Sequence, residues 1–255
     1  MGMNETQAVE SLAGTTAIVT GASRGFGRGV AAALSAAGAH VVGVARTSAD
    51  LDQVRDVLGD AFTPVTADAA DPATAAGLID DYLPRTLVLC AGAAPQMSPL
   101  QDQTWQSFSQ NWHVDVAQAF HWIQHALKRP LAPGSSVIAF SSGAAINGSP
   151  LSGGYAGANA TVRFIANYAA IESERAGLGL NVVSVLPQLT PATELGAKAV
   201  AAYAEREGLD AEAFSRNRGP VLTADQVGKS VLEIAMAVRP ERAYMLGSAG
   251  LSPLT

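Results

Sequence analysis

A single cysteine, Cys90, excludes any disulfide within this chain and suits a reducing compartment. No apolar run approaches the roughly 20 residues that a membrane crossing needs. The opening stretch, MGMNETQAVESLAG, is polar and has no apolar signal core, so the expected location is the cytoplasm, with no membrane partner. Charge is sparse, at 15% of residues, and its balance of -6 with no basic cluster argues against a nucleic-acid partner. Lysine is scarcer still: Lys128, Lys198 and Lys229 are the only ones among 16 cations. Histidine is limited to 4 residues, and those on the long segment 102–129 have no acid-rich partner set, so no metal site is expected.

Apolar residues, by contrast, make up 48% of the 255, enough for a substantial core. Their order is regular. TTAIVT reads as a strand, GASRGFG as a glycine turn, GRGVAAALSAAG as a helix and HVVGVA as a second strand. The alternation then continues through FTPVTAD, TLVLCAG, SSVIAFSS and LNVVSVL, with RAYMLG as a short seventh strand. Helices are expected over 102–129 and 155–177, and Thr223 with Gln226 forms a capping box for another. Strands alternating with helices predict an α/β fold: one doubly wound sheet of about seven mostly parallel strands, helices on both faces, in a single domain over residues 1–255. Residues 1–14 read as a tail. Ligands of such sheets sit beyond the carboxyl ends of the strands.

The glycine turn lies there. Gly21, Gly25 and Gly27 are spaced G-x-x-x-G-x-G between a strand and a helix. Gly21 permits the tight exit from the strand. Gly25 and Gly27, with Ser23, Arg24 and Phe26 between and beside them, bring backbone N–H groups close to a pyrophosphate. At the end of the second strand, VGVARTS carries Arg46 and no acid. Arg46 and Arg24 together suit a ribose 2′-phosphate, and Thr47 can add a hydroxyl, which points to NADP(H).

Ser142 ends the fifth strand, and Tyr155 opens the next helix thirteen positions later. With the glycine spacing, this pair resembles the short-chain dehydrogenase/reductase family over nearly the whole chain, from Thr15 to about Gly250. The resemblance implies a Rossmann fold, nicotinamide chemistry on a small-molecule substrate, and a homodimer or homotetramer built on the 102–129 and post-Tyr155 helices. It assigns Asp68 and Ala69 to the adenine side, Ala91 and Gly92 in CAG to the cofactor floor, and Pro187 to the turn after the sixth strand. It makes 188–220 the substrate-binding loop and helices. Gln96, Met97, Ile146, Asn147, Leu189, Leu195, Tyr203 and Phe214 are the expected apolar lining there.

In that family a tyrosine moves the proton and a serine orients the substrate oxygen. A lysine one turn after the tyrosine binds the nicotinamide ribose and lowers the tyrosine pKa. An asparagine on the preceding helix holds a water. Tyr155 and Ser142 fit the first two roles. Asn159 stands at the lysine position and Asp115 at the asparagine position, with Asn111 one turn earlier as the alternative. A lost cation and a gained acid both disfavour a tyrosinate. Carbonyl reduction, with Tyr155 as a neutral donor, is therefore favoured over alcohol oxidation. A non-redox enzyme on the same scaffold (a dehydratase, cyclase or isomerase) and a non-catalytic NADP(H)-binding protein remain the alternatives.

Overall fold

The computed structural model describes residues 11–254, so most of the expected N-terminal tail lies outside the described residues. The chain alternates strand and helix from the start: β1 (Thr16–Thr20), α1 (Gly25–Ala36), β2 (His40–Ala45), α2 (Ser48–Leu58), β3 (Phe62–Thr66), α3 (Pro72–Tyr82) and β4 (Thr86–Leu89). Next come α4 (Trp105–Asn111), a π turn (Trp112–Val116) and α5 (Ala117–Lys128). They are followed by β5 (Ser136–Phe140), α6 (Ala144–Asn147), α7 (Gly153–Ala176) and β6 (Asn181–Pro187). The chain closes with α8 (Glu194–Glu207), α9 (Ala211–Arg216), α10 (Ala224–Met236), β7 (Ala243–Gly247) and β8 (Gly250–Pro253).

Among the described residues, one sheet holds all eight strands in the order β3-β2-β1-β4-β5-β6-β7-β8. Seven run parallel, and β8 pairs antiparallel to β7 through Gly247↔Gly250. The eighth strand is one more than the apolar runs suggested. It is four residues long and holds one apolar residue, Leu251, too weak a pattern to read as a strand. The order reverses between β1 and β4, and this switch point opens the crevice in which the candidate site lies.

Side-chain alternation along the central strands divides the core between the two faces. Ala17, Val19, Val41, Val88 and Ile138 pack with Val30 and Leu34 of α1 and Val227 and Val231 of α10. Ile18, Val42, Leu87, Leu89 and Val137 pack on the other face, with Ile79 of α3, Trp122 of α5 and Val162 of α7. Both faces of the strands are buried, which is why they read as continuous apolar runs rather than as alternating ones.

The expected long helix over 102–129 is interrupted. Thr104 caps α4 through Ser107, and the wider π turn then inserts before α5. Asp115 sits in that turn, buried, and the interruption re-aims it toward the loop after β4. The predicted capping box at Thr223 and Gln226 is present at the start of α10.

Candidate active site

The crevice beyond the strand ends is a cleft of about 800 Å³, within the size range of ligand pockets. Its first wall is built by backbone. Gly21 has φ +69°, and a Cβ there would lie 2.8 Å from the Ala91 Cα. A Cβ on Gly27 would lie 2.1 Å from the Gly21 carbonyl oxygen. Only glycine lets α1 start this close to the end of β1. Arg24 precedes α1 without a side-chain cap, the first turn of α1 holds no acid, and Gly25, Phe26 and Gly27 of that turn line the cleft. That end of the helix fits an anionic pyrophosphate.

Gly21, Ser23, Arg24, Gly25, Phe26 and Gly27 all line the cleft. So do Arg46 and Thr47 from the end of β2, Asp68 and Ala69 after β3, and Ala91 and Gly92 after β4. Pro187 after β6 lines it as well. Arg46 and Thr47 are exposed at the rim. Arg24 reaches across the mouth to Glu194 at 2.5 Å. Asp68 closes its own turn by accepting from the Ala70 N–H.

The second wall carries Ser142, Tyr155, Asn159 and Asp115, all on the same cleft. Tyr155 and Ser142 face the same cleft, and Ser142 Oγ accepts from the Ala144 N–H at 3.2 Å. The phenol is pushed up to about 12, chiefly by burial and also by Asp115 and Cys90, against a smaller downward pull from Ser142. The phenol therefore stays protonated through neutral pH. Ser141, beside Ser142, is spent elsewhere: its Oγ donates to the Asn159 carbonyl at 2.8 Å and fastens β5 to α7.

Asn159 is 4% exposed, and its amide donates back to the Tyr155 carbonyl at 3.0 Å. It supplies no charge to the phenol. Burial raises Asp115 to about 6, against the pull of hydrogen bonds from the Ala93 N–H and the Asn111 amide.

Sequence reasoning did not single out Thr20 or Gln118. The Gln118 amide donates to the Ala91 carbonyl at 2.7 Å, and Thr20 Oγ1 donates to Gln118 Oε1. Thr20 in turn accepts from the N–H groups of Cys90 and Ala91. These contacts fix the loop that floors the cleft. Gln118 follows Asp115 on the same helix face, which was the available signal. Of the expected apolar lining, Met97, Asn147, Leu189, Leu195 and Tyr203 do face the cleft. Phe214 does not: it is buried behind α8 against Val200 and Ala204. Ile146 points to solvent at 46% exposure, and Gln96 is absent from the lining.

The short chain dehydrogenase family profile matches residues 15–204. The chain belongs to that family. L-xylulose reductase of Mesocricetus auratus is 34% identical over 124 residues, covering 49% of this chain and 50% of that protein. The chain thus spans about half the length of the curated relatives it matches. Among solved structures, the 3-ketoacyl-(acyl-carrier-protein) reductase from Brucella melitensis complexed with NADH superposes with TM-score 0.75. It is 22% identical and covers 92% of this chain and 98% of that one. An NAD⁺-bound xylitol dehydrogenase gives TM-score 0.78 at 16% identity, covering 89% and 94%. These two show the fold. The family is one of nicotinamide-dependent oxidoreductases. No helix among the described residues is long and apolar enough to cross a membrane.

Proposed function

We propose that this chain is an NADP(H)-dependent reductase of carbonyl groups on small or medium apolar substrates. The observation that carries the reading is that Ser142 and Tyr155 share the cleft, with the phenol buried and held neutral. NADPH supplies the hydride when bound. Ser142 orients the substrate oxygen, and Tyr155 gives its proton to that oxygen as the carbonyl is reduced. The donor's pKa of about 12 is poorly matched to neutral pH, so the proton step is slower than with an activated tyrosine. Asn159 leaves that value uncorrected.

Arg46 and Arg24, with no acid at the end of β2, support the 2′-phosphate form of the cofactor. Gly21, Gly27 and the start of α1 hold the pyrophosphate. Asp68 and Ala69 take the adenine side, and Ala91, Gly92 and Pro187 the nicotinamide side. Met97, Leu189 and Leu195 support an apolar substrate.

Trp105, Phe164 and Tyr168 are more than half exposed, and Trp112 is 40% exposed. An aromatic surface on these two packed helices supports the homodimer or homotetramer.

The test is purified protein with NADPH and a panel of ketones and aldehydes. Cofactor oxidation should match alcohol formed, exceed that with NADH, and fall about 10²–10⁴-fold in Tyr155→Phe. Turnover without cofactor oxidation that is lost in Asp115→Asn would instead support a dehydratase, cyclase or isomerase. Tight NADPH binding without any turnover would support a non-catalytic binding protein.

A further inference from the structure

Three side chains on one face of the α4–π–α5 segment grip the loop after β4. The Asn111 amide donates to the Ala93 carbonyl at 2.7 Å, and Asp115 Oδ1 accepts from the Ala93 N–H at 2.8 Å. Gln118 donates to the Ala91 carbonyl. Asn111 also donates to Asp115 Oδ2 at 3.0 Å. The two polar ends of Ala93 are therefore taken by two residues one turn apart. A single primary amide could accept from the N–H and donate to the carbonyl. Here the task is divided, and the division places a carboxylate in the candidate site.

The orientation of Asn111 is dictated by its neighbours. Both partners are acceptors, so only the NH₂ can face them. Both amide protons are thereby used, while Oδ1 is buried with no partner. Asn111 is 1% exposed and Asp115 7%, so water does little to offset a change in either. The π turn places the two on one side of the segment.

We propose that Asn111 is a positioning residue of the candidate active site, which aims Asp115 at the cleft and, as a donor to its carboxylate, favours the anion. Asp115 itself lines the cleft, and Asn111 acts through it. The titratable groups meeting Asp115 at this end of the cleft are Tyr155 from α7 and Cys90 from the β4 loop, while Arg24, Arg46, Asp50, Asp68, Glu194, Lys198, Tyr203 and Arg218 line the rest of it. Burial keeps both neutral across ordinary pH, each at about 12. His113, on the same turn as Asp115, is exposed. Among Asp115, Tyr155 and Cys90, the charge that changes between mild acid and neutral pH is then that of Asp115. Asn111 sets where the change occurs, because its donor favours the anion.

The proposal rests on the placement of Asp115 rather than on the direction of reaction, and its test needs no turnover. The Asp115 carboxyl is titrated by carbon NMR in the full chain labelled at aspartate, with the signal assigned from its absence in Asp115→Asn. In Asn111→Leu the midpoint should rise by about one pH unit, and in Asn111→Ser by less, since a hydroxyl can still donate. Circular dichroism establishes that each variant is folded. Should the leucine variant not fold, the serine variant decides by itself. An unchanged midpoint in every folded variant overturns the proposal, whether or not the chain reduces carbonyls.

Discussion

The two walls of the cleft are made of different material. The wall built from β1, the glycine turn and α1 works through backbone: close approach at Gly21 and Gly27, and free N–H groups at the start of α1. The wall built from the end of β5, the end of α4 with the π turn, and α7 works through side chains, namely Ser142, Tyr155, Asn159, Asp115 and Asn111. A backbone wall tolerates most changes that leave its glycines alone. A side-chain wall can lose a charge at one position and keep its shape. In this chain the first wall rests on its glycines, and the second holds an uncharged Asn159 and a buried acid, Asp115.

The largest expected effect tests the first wall. In Gly27→Ala the new methyl meets the Gly21 carbonyl at 2.1 Å, so α1 must move away from β1. The expected cost is about 3 kcal/mol in denaturant unfolding, with nicotinamide cofactor binding lost. An alanine variant that binds cofactor normally would break the contrast between the walls.

Asp115→Asn tests the second wall through stability. The native carboxyl lies near 6, above its ordinary 3.8. The native state therefore prefers the protonated acid. That stabilisation is full below about 3.8 and is lost as pH rises through about 6. Asp115→Asn does not titrate there. Between pH 4 and 7 its stability relative to the parent should improve by up to about 3 kcal/mol, read from unfolding curves at both pH values. A difference independent of pH would place Asp115 in an ordinary solvated environment.

Arg46→Ala should weaken NADPH binding about tenfold to a hundredfold while leaving NADH within about twofold, as loss of a charged hydrogen bond predicts. Equal losses for both cofactors would remove the 2′-phosphate reading. The smallest expected change is a gain. Asn159→Lys restores a cation one turn from Tyr155, and it should lower the phenol by one to three pH units and raise carbonyl reduction about tenfold.

The strands and the glycine turn were legible because buried parallel strands and tight turns leave patterns in residue type. Ser142 and Tyr155 were legible from spacing. The π turn was not, because no residue type marks an i→i+5 insertion, and the 102–129 pattern reads as one helix. With the turn hidden, Asn111 and Asp115 looked like alternatives for one role; in space both meet Ala93. Phe214 shows the opposite failure. Its apolar character suited either the cleft or the packing beneath α8, and only the path of α9 decides. Asn159 was legible as a missing charge, but its bond back to the Tyr155 carbonyl depends on a rotamer.

The central claim is that Tyr155 works as a neutral acid with no cation to activate it. Titrating the ring carbon that bears the hydroxyl, by NMR of protein labelled at tyrosine with Tyr155→Phe for assignment, tests it most directly. The account predicts a midpoint near 12, falling in Asn159→Lys. A parent midpoint below the ordinary tyrosine value of about 10 would contradict it, because another group would then be supplying the missing charge.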